Sequence, residues 1–206
     1  MNSYKTIRGY SEIQLVEKRS VFIGYANKAE NEQQAVEFIN EIQKKHQDAT
    51  HNVYAYTLRE NNTVRFSDDG EPHGTAGVPV LEVIKKEGLI DTVVVVTRYF
   101  GGTLLGTGGL VRVYSASAKA VIDASGIVTM IPCQIVKIET NYNDYNKILY
   151  EINKTGTIIE NTIFTDIIAI DAYTKEDEYE NIKNKIYELT NGKTKIDITG
   201  YKYASF

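Results

Sequence analysis

The pattern of apolar and polar positions predicts a mixture of strands and helices along the whole chain. Ala35, Phe38 and Ile42 lie at the spacing of one helix face, which predicts an amphipathic helix that begins near Asn31. Four consecutive valines at positions 93–96 are typical of a strand covered on both faces, so this segment is predicted to be a central strand. Further strands are predicted at 12–16, 21–26, 52–58 and 64–66, and further helices at 74–86 and 110–124.

A domain boundary is predicted near Ile131. The helical pattern of the first half stops at Gly126, and Pro132 then interrupts the chain before a new alternating run begins. Residues 1–131 therefore form one predicted domain and residues 132–206 a second. The second domain is predicted to contain strand 133–140, helix 143–153, strands 156–164 and 166–173, helix 176–190 and strand 194–203. This βαββαβ order is the ferredoxin-like arrangement, so the fold class is α+β with two domains.

Composition and charge place the chain among ordinary globular proteins. Its 206 residues are 42% apolar, which is enough to bury a core, and no apolar run is long enough for a membrane span. We therefore expect a soluble, cytoplasmic protein without a membrane partner. The formal net charge of −4 does not suggest a polyanion partner, so any contact with nucleic acid must come from a local basic patch. The single cysteine, Cys133, excludes a disulfide framework.

The densest chemical signal is a glycine-rich segment at positions 101–109, between the valine strand and the next predicted helix. Its glycines allow positive φ and close approach of backbone N–H groups, and the helix that follows favours an anion at its start. A phosphate is therefore the expected ligand. The predicted binding set, which adds flanking cations and aromatic residues, is Arg98, Tyr99, Phe100, Gly101, Gly102, Gly106, Gly108, Gly109, Arg112 and Lys119.

Two observations limit this phosphate hypothesis. Leu110 and Val111 follow the last glycine where a P-loop would have Lys and Ser or Thr, and Val111 also replaces the third glycine of the dinucleotide fingerprint. The segment therefore matches neither known phosphate loop. The glycines could instead serve only a tight connection from strand to helix with close packing, and spacing alone does not decide between these alternatives.

A second signal is the acidic loop at positions 67–72, which places Asp68, Asp69 and Glu71 ahead of a predicted helix. Carboxylates in such a loop can hold Mg²⁺, act as a general base, or cap the helix and form a turn. They could also lie near Arg98 and make an internal acid–base pair. Mg²⁺ bound by these three carboxylates is the one cofactor that the sequence brings into consideration.

The histidines add one further candidate. His51 immediately precedes a predicted strand and could be a base or a ligand, although it could equally be an ordinary hydrogen-bonding residue. No HExxH motif, paired metal spacing or Gly-x-Ser-x-Gly elbow occurs in the sequence. The candidate catalytic residues, none of which is assigned a step, are therefore Asp68, Asp69, Glu71 and His51.

Two long motifs resemble those of one protein family. RYFGGxxLGxGGL at positions 98–110 and SDDGEPxGTAG upstream at positions 67–77 resemble the YigZ/IMPACT family. Segments 18–23 and 49–52 also look like family positions, so the resemblance covers residues 10–130. The second half resembles the small ferredoxin-like domain that bacterial members append.

The resemblance implies a fold and a biological context. It implies that the first domain is an α/β domain like the second domain of a small-subunit ribosomal protein, domain IV of elongation factor G and the GHMP kinases. The second domain would be similar to later, ferredoxin-like domains of elongation factor G, and this pairing suggests contact with RNA or the ribosome. Eukaryotic relatives are translation regulators that carry a different partner-binding domain, so their mechanism is not transferred. Val53 stands where many relatives have Cys, which removes a thiol at that position.

Three functional hypotheses follow from these observations. The first is a non-catalytic, cytoplasmic protein that binds RNA or the ribosome in translation regulation, through Arg98, Tyr99, Phe100 and the glycine-rich segment. The alternative is an enzyme or sensor for a small phosphorylated metabolite, with phosphate on that segment and Mg²⁺ at the acidic loop. The third is a docking module that binds a protein partner through the second domain. The sequence does not predict an oligomeric state.

Overall fold

A computed structural model describes residues 2–206 of the protein. These residues fall into two compact units: residues 4–129 form the first, and residues 130–206, together with residues 2 and 3, form the second. The boundary predicted near Ile131 lies next to this division. The described residues have mixed α and β structure with five α-helices. Within this part of the chain, no helix has both the length and the apolar character that crossing a membrane requires.

The first unit is built on an antiparallel sheet. In chain order its elements are β1 (Tyr4–Ile7), β2 (Ser11–Glu17), β3 (Ser20–Lys28), α1 (Glu32–Lys45), β4 (His51–Thr57), β5 (Val64–Ser67), α2 (Gly77–Lys86), β6 (Thr92–Tyr99) and α3 (Thr107–Ser125), with a 3₁₀ turn at Glu60–Asn62. Five of these strands form the sheet in the order β2-β3-β6-β4-β5. Each neighbouring pair in it runs antiparallel.

Strand β6 is the central strand of this sheet, as its four valines predict. Val93 and Val95 pack in the core that contains α1, whereas Val94 and Val96 pack in the core that contains α2 and α3. All four side chains are fully buried. Burying one valine side chain contributes about 1.5–3 kcal/mol, so this strand stabilises the contacts on both faces of the sheet. The first unit therefore has three layers, with the sheet in the middle.

Helix α1 begins where the sequence predicts. The Asn31 side chain accepts a hydrogen bond from the backbone N–H of Gln34 over 2.9 Å, which satisfies one of the N–H groups that a helix start leaves without a partner. Such a cap contributes about 1 kcal/mol. Phe38 and Ile42 then bury the predicted apolar face of the helix against the sheet.

Two helix starts differ from the predicted positions. Helix α2 begins at Gly77 rather than near Gly74, because the intervening backbone is held by the carboxylate of Asp68, which accepts the N–H of Gly74. Helix α3 begins at Thr107 rather than near Leu110, so the last two glycines of the glycine-rich segment lie inside the helix. Strand β1 has no counterpart among the predicted elements, because four residues are too few to show a period.

The second unit has the βαββαβ order of elements that its sequence pattern predicts. In chain order these are β7 (Ile127–Thr140), α4 (Tyr142–Lys154), β8 (Ile158–Phe164), β9 (Ile168–Lys175), α5 (Tyr179–Leu189) and β10 (Lys195–Ala204). Strands β10, β7, β9 and β8 lie side by side in that order, and each neighbouring pair is antiparallel. Ile148 of α4 and Ile186 of α5 pack with Ile138 and Ile170 of the strands in one core.

Candidate functional site

The acidic loop and the glycine-rich segment meet at one open cavity of the first unit. Strands β4 and β6 are antiparallel neighbours, and their register sets His51 opposite Arg98. Strand β5 also runs antiparallel to β4, so the ends of β5 and β6 lie at the same edge of the sheet. The cavity has a volume of about 430 Å³ and is lined by residues 50–51, 70–72, 98, 100, 104–107 and 110.

Arg98 forms a buried ion pair with Glu71 at this cavity. Its Nη1 donates to Glu71 Oε1 over 2.7 Å, and the two side chains are only 6% and 3% exposed. The Tyr114 hydroxyl donates to the same oxygen over 2.7 Å, and burial together with this bond raises the pKa of Tyr114. The internal acid–base pair, one of the alternatives that the sequence left open, is therefore the arrangement observed. Arg98 does not stand free for a phosphate, because Glu71 already neutralises its charge.

Asp68 caps the start of α2. Its carboxylate accepts the backbone N–H groups of Gly74 (2.8 Å), Ala76 (3.1 Å) and Gly77 (2.8 Å). Burial on its own would raise the pKa of Asp68, but these hydrogen bonds outweigh it, and the pKa lies below its ordinary value. Of the uses that the sequence allowed for this carboxylate, helix capping is the one that the structure confirms.

The three carboxylates of the acidic loop do not converge on one position. Asp69 Oδ2 accepts the backbone N–H of Asn52 over 2.6 Å, while Asp68 and Glu71 are held by the partners described above. In residues 2–206, no cluster of three or more His, Cys, Asp or Glu side chains is placed to hold a metal ion. Each carboxylate of the loop thus has a separate partner within the protein, and Mg²⁺ binding by the loop stays a prediction.

His51 presents one ring nitrogen toward Glu71. Its Nδ1 lies 2.7 Å from the carbonyl oxygen of Asp69, and since a carbonyl can only accept, Nδ1 carries the proton. Nε2 lies 3.8 Å from Glu71 Oε2, and in the neutral form of the ring it is the nitrogen without a proton. Of the four candidate catalytic residues, His51 and Glu71 line the cavity, whereas Asp68 and Asp69 do not.

Tyr99 and Phe100 have different surroundings. Beyond the end of α1, the Tyr99 hydroxyl contacts His46 Nδ1 over 2.8 Å and donates to Asp48 over 3.0 Å. Phe100 instead lines the cavity, with 46% of its surface exposed. Tyr99 and Phe100 therefore do not share one surface, because Arg98 faces the cavity and the next strand residue points to the opposite face of the sheet.

The glycines of the glycine-rich segment are there for different reasons. A Cβ on Gly101 would lie 2.1 Å from the carbonyl carbon of Arg19, so close packing requires glycine at that position. Gly102 and Gly106 have φ values of +79° and +73°, which glycine adopts without strain. A Cβ on Gly108 would meet nothing within 4 Å. Close packing therefore explains Gly101 but does not explain Gly108.

Helix α3 begins at the cavity with its first backbone N–H groups uncapped by a side chain. Gly106 occupies the N-cap position and offers no side-chain acceptor. Thr107, Gly108 and Gly109 are the first residues inside the helix, where the helix dipole favours negative charge. Gly106 and Thr107 line the cavity, so part of the predicted phosphate loop does border it.

Arg112 and Lys119 do not line this cavity. Arg112 borders a separate cavity of about 240 Å³, together with Glu17 and its neighbours at the end of β2. Lys119 lies two turns further along α3 and pairs with Glu87 over 3.6 Å and with Asp123. The structure therefore does not bring Arg98, Arg112 and Lys119 together at one cavity, and Arg98 and Lys119 are already paired with carboxylates.

Two cations outside the predicted set lie beside the glycine-rich segment. Lys18 and Arg19 form a two-residue turn between β2 and β3, since Glu17 pairs with Ser20 across it. Both residues are exposed and have positive φ, +46° and +70°. Neither side chain pairs with a carboxylate in the described part of the chain. The contact between Arg19 and Gly101 holds this turn against the loop, and adjacent basic residues between two strand patterns are the signal that could have found it.

Two family models match the sequence. The Impact N-terminal domain matches residues 18–122, and a domain of unknown function, DUF1949, matches residues 138–193. The first match contains the β2–β3 turn, the acidic loop and the glycine-rich segment. It therefore covers every part of the cavity described above.

Some known proteins are similar to nearly the whole chain, and others to about half of it. Over 197 residues it is 39% identical to IMPACT family member YvyE of Bacillus subtilis (strain 168), a match that covers 95% of this chain and 91% of that protein. It is 36% identical over 98 residues to Protein IMPACT-B of Xenopus tropicalis, which covers 45% of this chain and 30% of that protein. A crystal structure of a hypothetical protein matches with a TM-score of 0.63 and 24% identity, over 97% of this chain and 98% of that one. This last match shows a shared fold.

Proposed function

We propose, since this chain belongs to the IMPACT family, that it is a non-catalytic protein that binds RNA at one end of its first unit. The observation that carries the proposal is the Lys18–Arg19 turn, which packs against Gly101 and sets two exposed cations beside the glycine-rich segment. Contacts to an RNA backbone need exposed cations that no carboxylate of the protein already neutralises. These two residues meet that requirement, whereas Arg98 does not.

The backbone of the turn supports a use for these two charges. A two-residue hairpin turn with positive φ at both positions favours Asn-Gly, because a side chain in the left-handed region is strained. Lys18 and Arg19 cost on the order of 1 kcal/mol each in that conformation. A sequence selected only for stability would avoid this cost, so the cations are expected to serve binding.

Neighbouring groups extend the surface that an RNA backbone would meet. Helix α3 presents uncapped N–H groups at its start, and Gly108 leaves that start open to approach. Arg112 is exposed on the same helix, but Glu17 borders the same small cavity and offsets part of its charge. The turn therefore carries the proposal, with the helix start as a second contact.

The translation context of the proposal rests on the family resemblance and on the topology of the second unit. An antiparallel βαββαβ unit is the ferredoxin-like arrangement. We also propose that the first unit is similar to a ribosomal-protein domain and to domain IV of elongation factor G. The second unit would then be similar to the ferredoxin-like domains of that factor. The ribosome in the cytoplasm is then the proposed place of RNA contact, and the second unit the proposed surface for a protein partner. The metabolite alternative has less support, because the three carboxylates of its Mg²⁺ loop each bind a different group of the protein.

Filter binding with single-stranded RNA at low and at physiological salt tests the proposal. We expect the wild-type protein to bind RNA with an affinity that falls steeply with salt. Lys18→Gln/Arg19→Gln should weaken binding about tenfold at low salt, because two phosphate contacts are lost. The control Lys44→Gln/Lys86→Gln removes two exposed lysines from α1 and α2 and should bind like wild type. An equal loss in both double variants, or no binding by wild type, would overturn the proposal.

A further inference from the structure

We propose that the cavity of the first unit holds one unpaired nucleobase stacked on Phe100, an inference that rests on the RNA binding proposed above. The volume of about 430 Å³ lies in the range of small-molecule sites. The walls combine an aromatic ring, aliphatic side chains and a few polar groups, which is the usual composition of such sites. An RNA strand or a free nucleotide could supply the base, and the experiment below separates these two sources.

Phe100 supplies the stacking surface. Its half-exposed ring lines the cavity, and its backbone N–H donates to Thr50 Oγ1 over 3.1 Å. The Arg98 Cζ lies 5.4 Å from the centroid of the Phe100 ring and 5.5 Å from that of Phe22, so the buried guanidinium contacts both rings. A ring held in place before binding loses little conformational freedom when a base stacks on it. Stacking of this kind accepts any base, because every base has a π-face.

The aliphatic wall of the cavity favours a ligand with a flat apolar face. Leu104 is 83% exposed, and Leu105, Leu110 and Pro72 border the same space. Covering these side chains removes apolar surface from water, which is favourable for the face of a base. A bare phosphate would gain nothing from this wall. The wall therefore distinguishes a nucleobase from the simple anion that the glycines alone suggest.

The polar groups of the cavity fit the edge of a base. His51 Nε2 is unprotonated in the neutral ring and can accept a hydrogen bond from an amino or imino group. Thr50 Oγ1 already accepts the N–H of Phe100, so its own proton can be donated. One acceptor and one donor match the mixed edge of an unpaired base.

The proposed phosphate contacts lie at the same end of the unit as the cavity. Gly106 and Thr107 border the cavity and also begin α3, whose uncapped N–H groups favour an anion. Gly101, at the start of the same loop, packs on Arg19 of the cationic turn. A nucleotide with its base on Phe100 would therefore direct its phosphate toward the helix start and the turn.

Fluorescence anisotropy with a short single-stranded RNA and with its duplex tests this inference on the full chain. The variants are Phe100→Ala, Phe100→Tyr, which keeps an aromatic ring, and Phe66→Ala, which removes a phenylalanine of similar exposure, 44%, from β5. Phe100→Ala should bind the single strand about tenfold more weakly than wild type. Phe100→Tyr and Phe66→Ala should bind like wild type. Duplex binding should be the same for all four proteins, because paired bases stay in their own stack.

The outcomes separate this inference from the proposed function. If Phe100→Ala binds single strands like wild type while Lys18→Gln/Arg19→Gln binds weakly, the base site is wrong and RNA binding stands. If Phe100→Ala weakens single-strand and duplex binding equally, the base site is also wrong. If wild type binds no RNA, the proposed function fails. The base site is then tested by the Tm of the protein in the presence of AMP, GMP, CMP or UMP. If a nucleotide raises Tm and Phe100→Ala abolishes this rise, a free nucleotide supplies the base. If no nucleotide raises Tm, the base site is wrong.

Discussion

Arg98 and Glu71 stand 27 positions apart in the sequence and form one buried ion pair, with Nη1 2.7 Å from Oε1. The pair joins the strand that leads into the glycine-rich segment to the acidic loop. In the sequence, each residue considered separately is a candidate for ligand binding. Together they neutralise each other and fix the shape of the cavity wall, so ligand contacts must come from other residues around it.

Arg98→Ala should destabilise the protein strongly. Glu71 would remain buried without its cation, and the loss of one partner of a buried pair costs about 3–5 kcal/mol in free energy of unfolding. Urea denaturation measures this loss. Lys85→Ala is the matched control, since it breaks the exposed pair between Lys85 and Glu82 and should cost less than about 1 kcal/mol. Similar costs for the two variants would contradict the structural importance of the Arg98 pair.

Alanine at two glycines of the same segment should have opposite effects. Gly101→Ala places a Cβ 2.1 Å from the Arg19 carbonyl carbon and should cost about 1–3 kcal/mol, because the turn must shift. Gly108→Ala meets nothing within 4 Å and lies in α3, so it should be neutral or stabilise by up to about 1 kcal/mol. Thermal unfolding of both variants checks this contrast. Equal destabilisation would show that close packing governs both positions.

Elements with a local pattern could be predicted from the sequence. The capping Asn31 and the helical spacing of Phe38 and Ile42 locate α1, because these interactions lie within one segment. The valines of β6 identify a strand covered on both faces for the same reason. The position of Tyr99 could also be predicted, because alternation along a strand places it on the face opposite Arg98.

The partners of the charged residues could not be predicted in the same way. Arg98 reaches Glu71 only because β4 pairs with β6 and β5 pairs with β4, and such registers join distant segments. Asp68 caps α2 because the acidic loop folds back onto Gly77, which no spacing reveals. The positive φ of Lys18 and Arg19 is similarly unexpected, because Asn-Gly is the usual signal for that turn.

His46 should make stability depend on pH. Burial, and then the charge of Lys45, lower the pKa of His46. Its Nε2 lies 2.6 Å from the Tyr25 hydroxyl, and its Nδ1 lies 2.8 Å from that of Tyr99. The neutral ring is therefore the form that the folded protein favours.

The sign of this dependence follows from the lowered pKa. As the pH falls below the ordinary value of 6.5, the unfolded chain takes up the proton before the folded protein does, so stability decreases. Above that pH the stabilisation by neutral His46 is complete. Between about pH 7.5 and about pH 5.5, the Tm of wild type should fall more than the Tm of His46→Gln, because glutamine does not titrate. Equal falls would show that other groups determine the pH dependence.

Replacement of the cationic turn by Asn-Gly should separate stability from binding. Lys18→Asn/Arg19→Gly introduces the pair that this turn favours, and it should raise the free energy of unfolding by about 1–2 kcal/mol, because the left-handed strain at both positions is reduced. The same variant should bind RNA weakly. Thermal unfolding and filter binding on one preparation check both expectations. A variant that loses stability would show that Lys18 and Arg19 support the fold itself.

The salt dependence of RNA binding tests the central claim most directly. The observed binding constant is measured over a range of salt concentrations for wild type, Lys18→Gln/Arg19→Gln and the control Lys44→Gln/Lys86→Gln. Each lost phosphate contact to a single strand reduces the slope of log K against log salt by about 0.7. The turn variant should therefore lose about 1.4 from the slope while the control keeps the wild-type slope. Equal slopes for wild type and the turn variant would contradict the assignment of RNA contacts to Lys18 and Arg19.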